Sequence, residues 1–93
     1  MSEMSMTGLV VDYHNIPGAM MRVLNCFSRR GLVIEAVYCG PVDGHHRATV
    51  AVLEAPPERI EQTIRELEST VGVDRVAPLD PAQAAHLLNS VHP

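Results

Sequence analysis

The architecture of this chain follows from one segment, residues 8–31, which reads GLVVDYHNIPGAMMRVLNCFSRRG. The stretch from Met6 to Tyr13, apolar from Gly8 onward, predicts a strand, and the apolar residues after Gly18 recur at helical spacing as far as Gly31. A strand that turns into a helix at a Pro-Gly pair leaves backbone N–H groups uncovered, and the helix dipole favours a small anion beside them. The segment therefore predicts a strand, a turn at 15–18 and a helix. The turn is either a docking place for a carboxylate or simply a well-formed helix start.

The first helix is predicted to begin at Pro17, because the missing N–H of proline costs nothing at a first helical position. Asn15 or Ile16 is the predicted cap before it. Gly31 is expected to end the helix in the left-handed conformation. The predicted buried side consists of Met20, Val23, Leu24 and Phe27.

Three further strands and two further helices are predicted downstream. The strands are 32–39, 47–54 and 73–79, and the first two are joined by a hairpin with Asp43-Gly44 as its turn. A second helix opens at Pro56-Pro57 and ends at Gly72. Its predicted apolar stripe consists of Ile60, Ile64, Leu67 and Val71. A last helix starts at Asp80-Pro81 and runs to about Ser90.

The order βαββαβ followed by a terminal helix predicts an α+β fold, a ferredoxin-like sandwich. Right-handed crossovers place both main helices on one face of an antiparallel sheet. The predicted divisions are a disordered start at residues 1–5, one domain at 6–79, and a C-terminal helix and tail at 80–93. The sheet face without helices is expected to carry some of Val10, Val33, Val37, Ala51 and Leu53, depending on the strand register. An apolar face without cover predicts a partner, with the terminal helix covering part of it and a second copy of the chain the rest.

Composition excludes several classes of function. The 93 residues carry 7 basic and 11 acidic side chains, a net charge of −4, and only 3% are aromatic. An acidic chain without a basic run or stacking aromatics is unsuited to nucleic acid or to an anionic membrane. No long apolar run or leader peptide is visible. Cys26 and Cys39 are too few for a disulfide framework, so we expect a single soluble domain in the cytoplasm.

No catalytic motif is present, so the sequence predicts a protein that is not an enzyme and has no cofactor. Asp12 and Glu35 are interpreted as solvent-facing strand carboxylates. Cys39 and the hairpin histidines 45–46, with His14 before the first helix, are residue types that suit zinc or nickel. Adjacent histidines on a strand point to opposite faces, so only one of the pair is able to join Cys39. The alternative is a hairpin that simply carries solvent-facing histidines, and no metal site is predicted.

The ordered motifs of the chain resemble the ACT domain, a small-molecule regulatory module, and more narrowly the small regulatory subunit of acetolactate synthase (acetohydroxyacid synthase). The motifs in the first half are Asn15-x-x-Gly18, Arg22-Val23, Phe27-Ser-Arg-Arg-Gly31 and Ile34-Glu35. In the second half, Ile64-Arg-Glu-Leu67 runs into Val71-Gly-Val73-Asp-Arg75-Val76. The resemblance covers residues 6–79, which are accordingly expected to form the ACT domain.

The resemblance implies a non-catalytic partner of a thiamine-diphosphate-dependent catalytic subunit in branched-chain amino acid biosynthesis. It implies a homodimer in which two sheets pair side by side, with valine or a related amino acid bound between protomers. The implied ligand-binding residues are Asn15, Ile16, Pro17, Gly18, Ala19, Val33 and Ile34. Among these, Asn15 and Gly18 would hold the charged groups of the amino acid and Ile34 would line its side-chain pocket.

Two departures from the family pattern bear on sensing. Feedback-sensitive members usually carry Asn just before the Ile-Glu pair, and this chain has Val33 there. They also often carry a second ferredoxin-like domain, whereas the sequence here continues only into the helix after Pro81. Some small subunits of this short type activate without sensing valine. The alternative is a free-standing ACT-domain amino-acid sensor that regulates another enzyme or a transcription factor.

Overall fold

The structure is a computed structural model that describes residues 4–29, 31–83 and 85–86. Its elements in chain order are β1 (Ser5–His14), α1 (Ala19–Ser28), β2 (Val33–Pro41), β3 (His46–Ala55), α2 (Pro57–Glu68) and β4 (Val73–Leu79). The strands form one sheet in the order β2-β3-β1-β4, and every pair of neighbours is antiparallel. This is the predicted ferredoxin-like βαββαβ arrangement, which is confirmed. No helix in the described part of the chain is long and apolar enough to cross a membrane.

The first helix begins later than predicted. It starts at Ala19, because Gly18 is its N-cap and has a left-handed φ of 80°. Pro17 therefore lies in the preceding turn, so its placement at the first helical position, with Asn15 or Ile16 as cap, was wrong. An L side chain is strained at such a φ, which is why the chain needs glycine where it leaves the turn.

The later start changes which residues α1 buries. The buried ones are Ala19, Val23, Cys26 and Phe27. Their spacing of four, three and one is that of a helical stripe, but two of them are small and give little apolar signal in the sequence. Leu24 packs against the core from a partly buried position, whereas Met20 is 37% exposed and its assignment to the buried side was wrong. Past the helix, Gly31 has the expected left-handed φ, 64°.

The second helix begins at Pro57 as predicted but ends at Glu68, before the predicted end at Gly72. Val71 lies beyond the helix and is 69% exposed, so its place in the apolar stripe was wrong. Gly72 instead belongs to the entry into β4, because its carbonyl accepts the N–H of His14 at 2.8 Å. The residues that α2 buries are Ile60, Thr63 and Leu67.

The core lies between the helices and one face of the sheet. Its fully buried strand residues include Leu9, Val11, Tyr13, Ala51 and Leu53. The Tyr13 hydroxyl and Thr49 Oγ1 share a buried hydrogen bond of 2.9 Å, and Cys39 Sγ lies 3.2 Å from the same Thr49 oxygen. Tyr13 therefore ties the end of β1 to β3 within the core.

The register decides which face each strand residue occupies. Ala51 pairs with Leu9, Leu53 pairs with Thr7, and Val37 pairs with Ala51. These pairs place Ala51, Leu53 and Val37 on the helix face, so these three candidates do not lie on the open face. A shift of one residue in register exchanges the faces, and the sequence alone does not specify that register. Val10 and Val33 do pair with open-face residues, respectively Val50 and Glu54.

One row of small and apolar residues crosses the open face. It consists of Ala36, Val52, Gly8 and Leu79, which follow one another across the four strands. Ala36 and Val52 are buried, and Leu79 packs against them. A Cβ built on Gly8 would lie 2.7 Å from the Leu79 Cβ. Glycine at position 8 therefore makes room for the Leu79 side chain beside it.

Two predictions at the chain ends reach beyond the described residues. Residues 81–83 and 85–86 are helical, in agreement with a helix that starts at Pro81, and the remainder of that predicted helix to Ser90 lies outside the described part. The predicted disordered start at residues 1–5 overlaps β1, which begins at Ser5, and residues 1–3 lie outside the described part.

Candidate functional site

Backbone hydrogen bonds to the residues just before β3 and β4 anchor the turn between β1 and α1. The His14 N–H donates to the Gly72 carbonyl and the Asn15 N–H donates to the His45 carbonyl, each at 2.8 Å. The Ile16 N–H donates to the His14 carbonyl, also at 2.8 Å, and this tightens the turn. The turn is therefore held on the β3 side and on the β4 side before the helix begins.

The start of α1 offers donors to a ligand. The N–H groups of Gly18, Met20 and Met21 have no acceptor among the residues that the structure describes, whereas the Ala19 N–H donates to the Ile16 carbonyl at 3.1 Å. First-turn N–H groups point out of the helix end, and the helix dipole gives that end a partial positive charge. An anion placed there would satisfy these groups.

A cavity of about 560 Å³ opens at this turn. Its lining residues are Asn15, Ile16, Pro17, Gly18, Met20, Met21 and Arg47. Four of the seven predicted site residues are among them. A fifth, Ala19, is only 2% exposed and packs in the core next to the cavity.

Two arginines bring positive charge to the turn, and the sequence did not identify either of them as a ligand residue. Arg47 lines the cavity from β3, where it pairs with Tyr13 of β1 and Pro41 of β2. The Arg22 guanidinium lies over the turn, since its Nη2 is 3.5 Å from where a Cβ on Gly18 would stand. Within the described part of the chain neither forms an ion pair with a carboxylate. A guanidinium binds a carboxylate through two parallel hydrogen bonds, so the cavity is suited to that group.

Arg47 was missed because the sequence places it only at the start of a strand, and its position beside the turn depends on the register with β1. Arg22 was named as part of the Arg22-Val23 motif, with no role at the turn. Arg22 follows Gly18 by four residues, and residues four apart are neighbours on a helix. This spacing was the signal that could have placed Arg22 beside the turn.

The remaining two predicted site residues lie elsewhere in the chain. Val33 and Ile34 begin β2, while the turn lies near Pro41 and Arg47, at the other end of that strand. The rise of a strand separates the two ends by roughly 25 Å. Val33 is 47% exposed and Ile34 is 42% exposed. One chain therefore does not bring the two halves of the predicted site together.

The hairpin residues do not assemble as a group around Cys39. Cys39 pairs with Thr49 on the helix face, while His46 pairs with His14 at the end of the open face. The Asp43 carboxylate caps the hairpin by accepting the N–H groups of His45 and His46 at 2.7 and 2.9 Å. The His45 N–H, followed by the His46 side chain, holds the pKa of Asp43 below its usual value. Asp12, on the same face, lies 3.8 Å from Arg75 in a surface ion pair.

Comparisons with known proteins bear on the fold and the family of the chain. A family model described as the AHAS small subunit-like ACT domain matches residues 9–75. The acetolactate synthase isozyme 1 small subunit of Escherichia coli K12 is 28% identical over 68 residues, which cover 73% of this chain and 71% of that protein. The acetolactate synthase small subunit of Thermotoga maritima superposes with a TM-score of 0.71 at 29% identity, over 83% of this chain and 48% of that one. The ACT domain of a Chlorobium tepidum GTP pyrophosphokinase has a TM-score of 0.71 at 14% identity over 83% of this chain and all of that one, a likeness of fold alone.

Proposed function

The chain belongs to the family of AHAS small subunit-like ACT domains, and on that basis we propose that it is a non-catalytic regulatory subunit of an acetolactate synthase. In this role it binds the catalytic subunit and raises its activity. The family match over residues 9–75 is the observation that carries the proposal. We place the protein in the cytoplasm, where free thiols such as those of Cys26 and Cys39 stay reduced.

We propose that two copies pair through the edge of β2. The other edge strand, β4, contains Pro78, which cannot donate to a neighbouring strand, whereas β2 has no proline before Pro41, its last residue. Antiparallel pairing of β2 with itself places the start of one strand beside the end of the other. This arrangement brings Val33 and Ile34 of the second copy toward the turn, and it joins the two halves of the predicted site.

We propose that the completed site binds a small amino acid. The carboxylate would bind the guanidinium groups of Arg22 and Arg47 and the free N–H groups at the start of α1. The apolar side chain of the ligand would contact Ile16 and the methionines of the cavity wall. Side chains of the second copy would close the pocket, with Ile34 nearest the ligand side chain.

Co-purification with a catalytic subunit tests the regulatory role. Mixing the two proteins should yield a complex in size-exclusion chromatography and faster acetolactate formation than the catalytic subunit gives alone. The catalytic subunit should come from the same organism, because regulatory contacts are specific to a pair. A failure of both binding and activation would contradict the proposal. An amino-acid response without any effect on acetolactate synthase would favour the free-standing sensor instead.

A thermal-denaturation screen over the common amino acids tests the ligand site. A ligand that binds only the folded protein, at 100 times its Kd, stabilises it by about 2.7 kcal/mol. Replacement of Arg47 by Ala should remove this stabilisation, whereas the same change at Arg75, which lies on the open face away from the cavity, should preserve it. Equal responses in both variants would place the ligand elsewhere.

The residue at position 33 should set how strongly the ligand is bound. An amide there would add a hydrogen bond to a charged group of the ligand, which is worth about 1.5–3 kcal/mol, or roughly 10- to 150-fold in Kd. Val33→Asn is therefore expected to tighten amino-acid binding by that factor. Val71→Asn is the control, because Val71 is 69% exposed and lies outside β2. An unchanged Kd in Val33→Asn would remove position 33 from the site.

A further inference from the structure

Two imidazoles and a carboxylate converge at the end of the open sheet face. His14 and His46 are directly opposite each other on β1 and β3, and their ring centroids are 4.8 Å apart. Asp74 contacts both: its Oδ1 lies 2.9 Å from His14 Nε2 and its Oδ2 lies 3.7 Å from His46 Nε2. The ligand atoms of the three residues all lie within 4.8 Å of one another. No part of the proposed amino-acid site uses these side chains.

An irregularity in the sheet places the carboxylate there. Asp12 pairs with Arg75 and Tyr13 pairs with Val73, so β4 has one extra residue at this point, Asp74. Such a bulge changes the direction of a side chain relative to a regular strand. Here it allows Val73 to pack against the core while Asp74 reaches the histidine on the opposite face.

A second carboxylate orients one of the imidazoles. His46 Nδ1 lies 3.1 Å from Asp43 Oδ1 and 3.2 Å from Asp43 Oδ2. Asp43 is itself held by two backbone N–H groups of the hairpin. An imidazole that donates Nδ1–H to a carboxylate has its Nε2 lone pair available, and histidine ligands of metals are usually oriented in this way.

We propose that His14 Nε2, His46 Nε2 and the Asp74 carboxylate form a binding site for a divalent transition metal of the zinc class, with Asp43 as the positioning residue for His46. Two imidazoles and one carboxylate are a ligand set that zinc accepts with an open fourth position. Metal–ligand bonds of about 2.0–2.1 Å require ligand atoms roughly 3.3 Å apart in tetrahedral geometry. The distance from His14 Nε2 to Asp74 Oδ1 is 2.9 Å, and the distance from His46 Nε2 to Asp74 Oδ2 is 3.7 Å. These two distances lie on either side of that value.

The site is accessible from solvent. The side chains of His14, Asp74 and His46 are 50%, 40% and 38% exposed. An ion can therefore enter without opening the core, and water can occupy the remaining coordination positions. As exposed ion pairs the three side chains would contribute little to stability, since such pairs are typically worth about 0–1 kcal/mol.

Isothermal titration of the untagged full chain with Zn²⁺ tests the site. One Zn²⁺ should bind per chain, and His14→Ala, His46→Ala and Asp74→Ala should each weaken binding by at least tenfold. Asp43→Asn should weaken it by about 10- to 100-fold, the usual effect of losing an outer-shell partner. His45→Ala is the matched control and should bind as the wild type does. Absence of zinc binding to the wild type would overturn the proposal, and so would loss of binding in Cys39→Ser with retention in His14→Ala.

Imidazole ¹⁵N spectra of the wild type make the test independent of how the variants fold. Saturation with Zn²⁺ should shift the Nε2 resonances of His14 and His46 and leave that of His86 unchanged. Zinc that leaves both Nε2 resonances in place would contradict the proposal. Neither measurement involves an amino acid or a catalytic subunit, so the result does not depend on the proposed regulatory role.

Discussion

The hydrogen bond between Tyr13 and Thr49 should show strong energetic coupling when its two partners are removed in turn. Both side chains are 0% exposed, and their hydroxyl oxygens are 2.9 Å apart. Tyr13→Phe removes one hydroxyl, and Thr49 keeps Cys39 as a neighbour at 3.2 Å. Thr49→Val removes the other hydroxyl and leaves the buried Tyr13 hydroxyl without this partner.

The two single replacements therefore differ in cost. Tyr13→Phe should lower the free energy of unfolding by about 1 kcal/mol, the net value of a typical intramolecular hydrogen bond. Thr49→Val should lower it by about 2–3 kcal/mol, because the desolvated tyrosine hydroxyl loses its bond. In the double variant that hydroxyl is absent, so the total loss should be about 1–2 kcal/mol, no larger than in Thr49→Val alone.

Urea denaturation of the four proteins, at one fixed protein concentration, measures the cycle. Each kcal/mol corresponds to roughly 4–8 °C in Tm for a domain of this size, so thermal scans provide a second reading. Thr63→Val is the matched control, because Thr63 is equally buried but donates to the Arg59 carbonyl within α2. Its effect should add to that of Tyr13→Phe within about 0.5 kcal/mol. Additive losses for Tyr13→Phe and Thr49→Val would refute the coupling and the assigned bond.

Three further changes follow from backbone geometry and charge. Gly18→Ala should cost about 1–2 kcal/mol of stability in urea denaturation, because φ is 80° there, whereas Gly44→Ala should be nearly neutral, because its Cβ meets nothing within 4 Å. Gly8→Ala should cost about 1–3 kcal/mol of stability, since its Cβ would stand 2.7 Å from the Leu79 Cβ. A cost below about 0.5 kcal/mol would mean that the Leu79 side chain moves freely. Asp43 contributes stability above its unfolded-state pKa that is lost as the pH falls through its lower folded-state pKa. The stability difference between wild type and Asp43→Asn should therefore shrink as the pH falls below about 4. A difference that does not change with pH would contradict this origin.

Local sequence patterns predict the helices and strands well because each of these elements has a signal within its own residues. β4 is observed at 73–79 as predicted, and α2 begins at Pro57, where proline is tolerated at a first turn. The errors lie at helix ends, such as Pro17 and Val71, and what stayed open is how two elements align with each other. The side of the sheet that Ala51 occupies depends on the register with β1, and the position of Asp74 depends on a bulge in β4. Neither the register nor the bulge leaves a periodic signal in a single strand.

Some residues of the candidate site have a local sequence signal, and others reach the site only through strand pairing. The turn from Asn15 to Gly18 was identified because a Pro-Gly pair between a strand and a helix is a local signal. Arg47 was not, because it reaches the cavity only through pairing with β1. The sequence pattern also gave no sign that Gly18 is the N-cap and that Pro17 stays in the turn, since both residues favour a turn.

The two ends of β2 explain why ligand binding and dimer formation should be linked. β1 lies inside the sheet and is paired up to His14, so the turn that follows it is held on both sides. Val33 and Ile34, in contrast, lie on an edge strand far from that turn. If the amino acid contacts the turn of one copy and β2 of the other, it binds the dimer more tightly than the monomer. Linkage then requires that the ligand lower the dimer dissociation constant by the same factor by which dimerisation tightens ligand binding. Sedimentation with and without the ligand measures this factor, and a dissociation constant unaffected by a bound amino acid would mean that each chain binds the ligand alone.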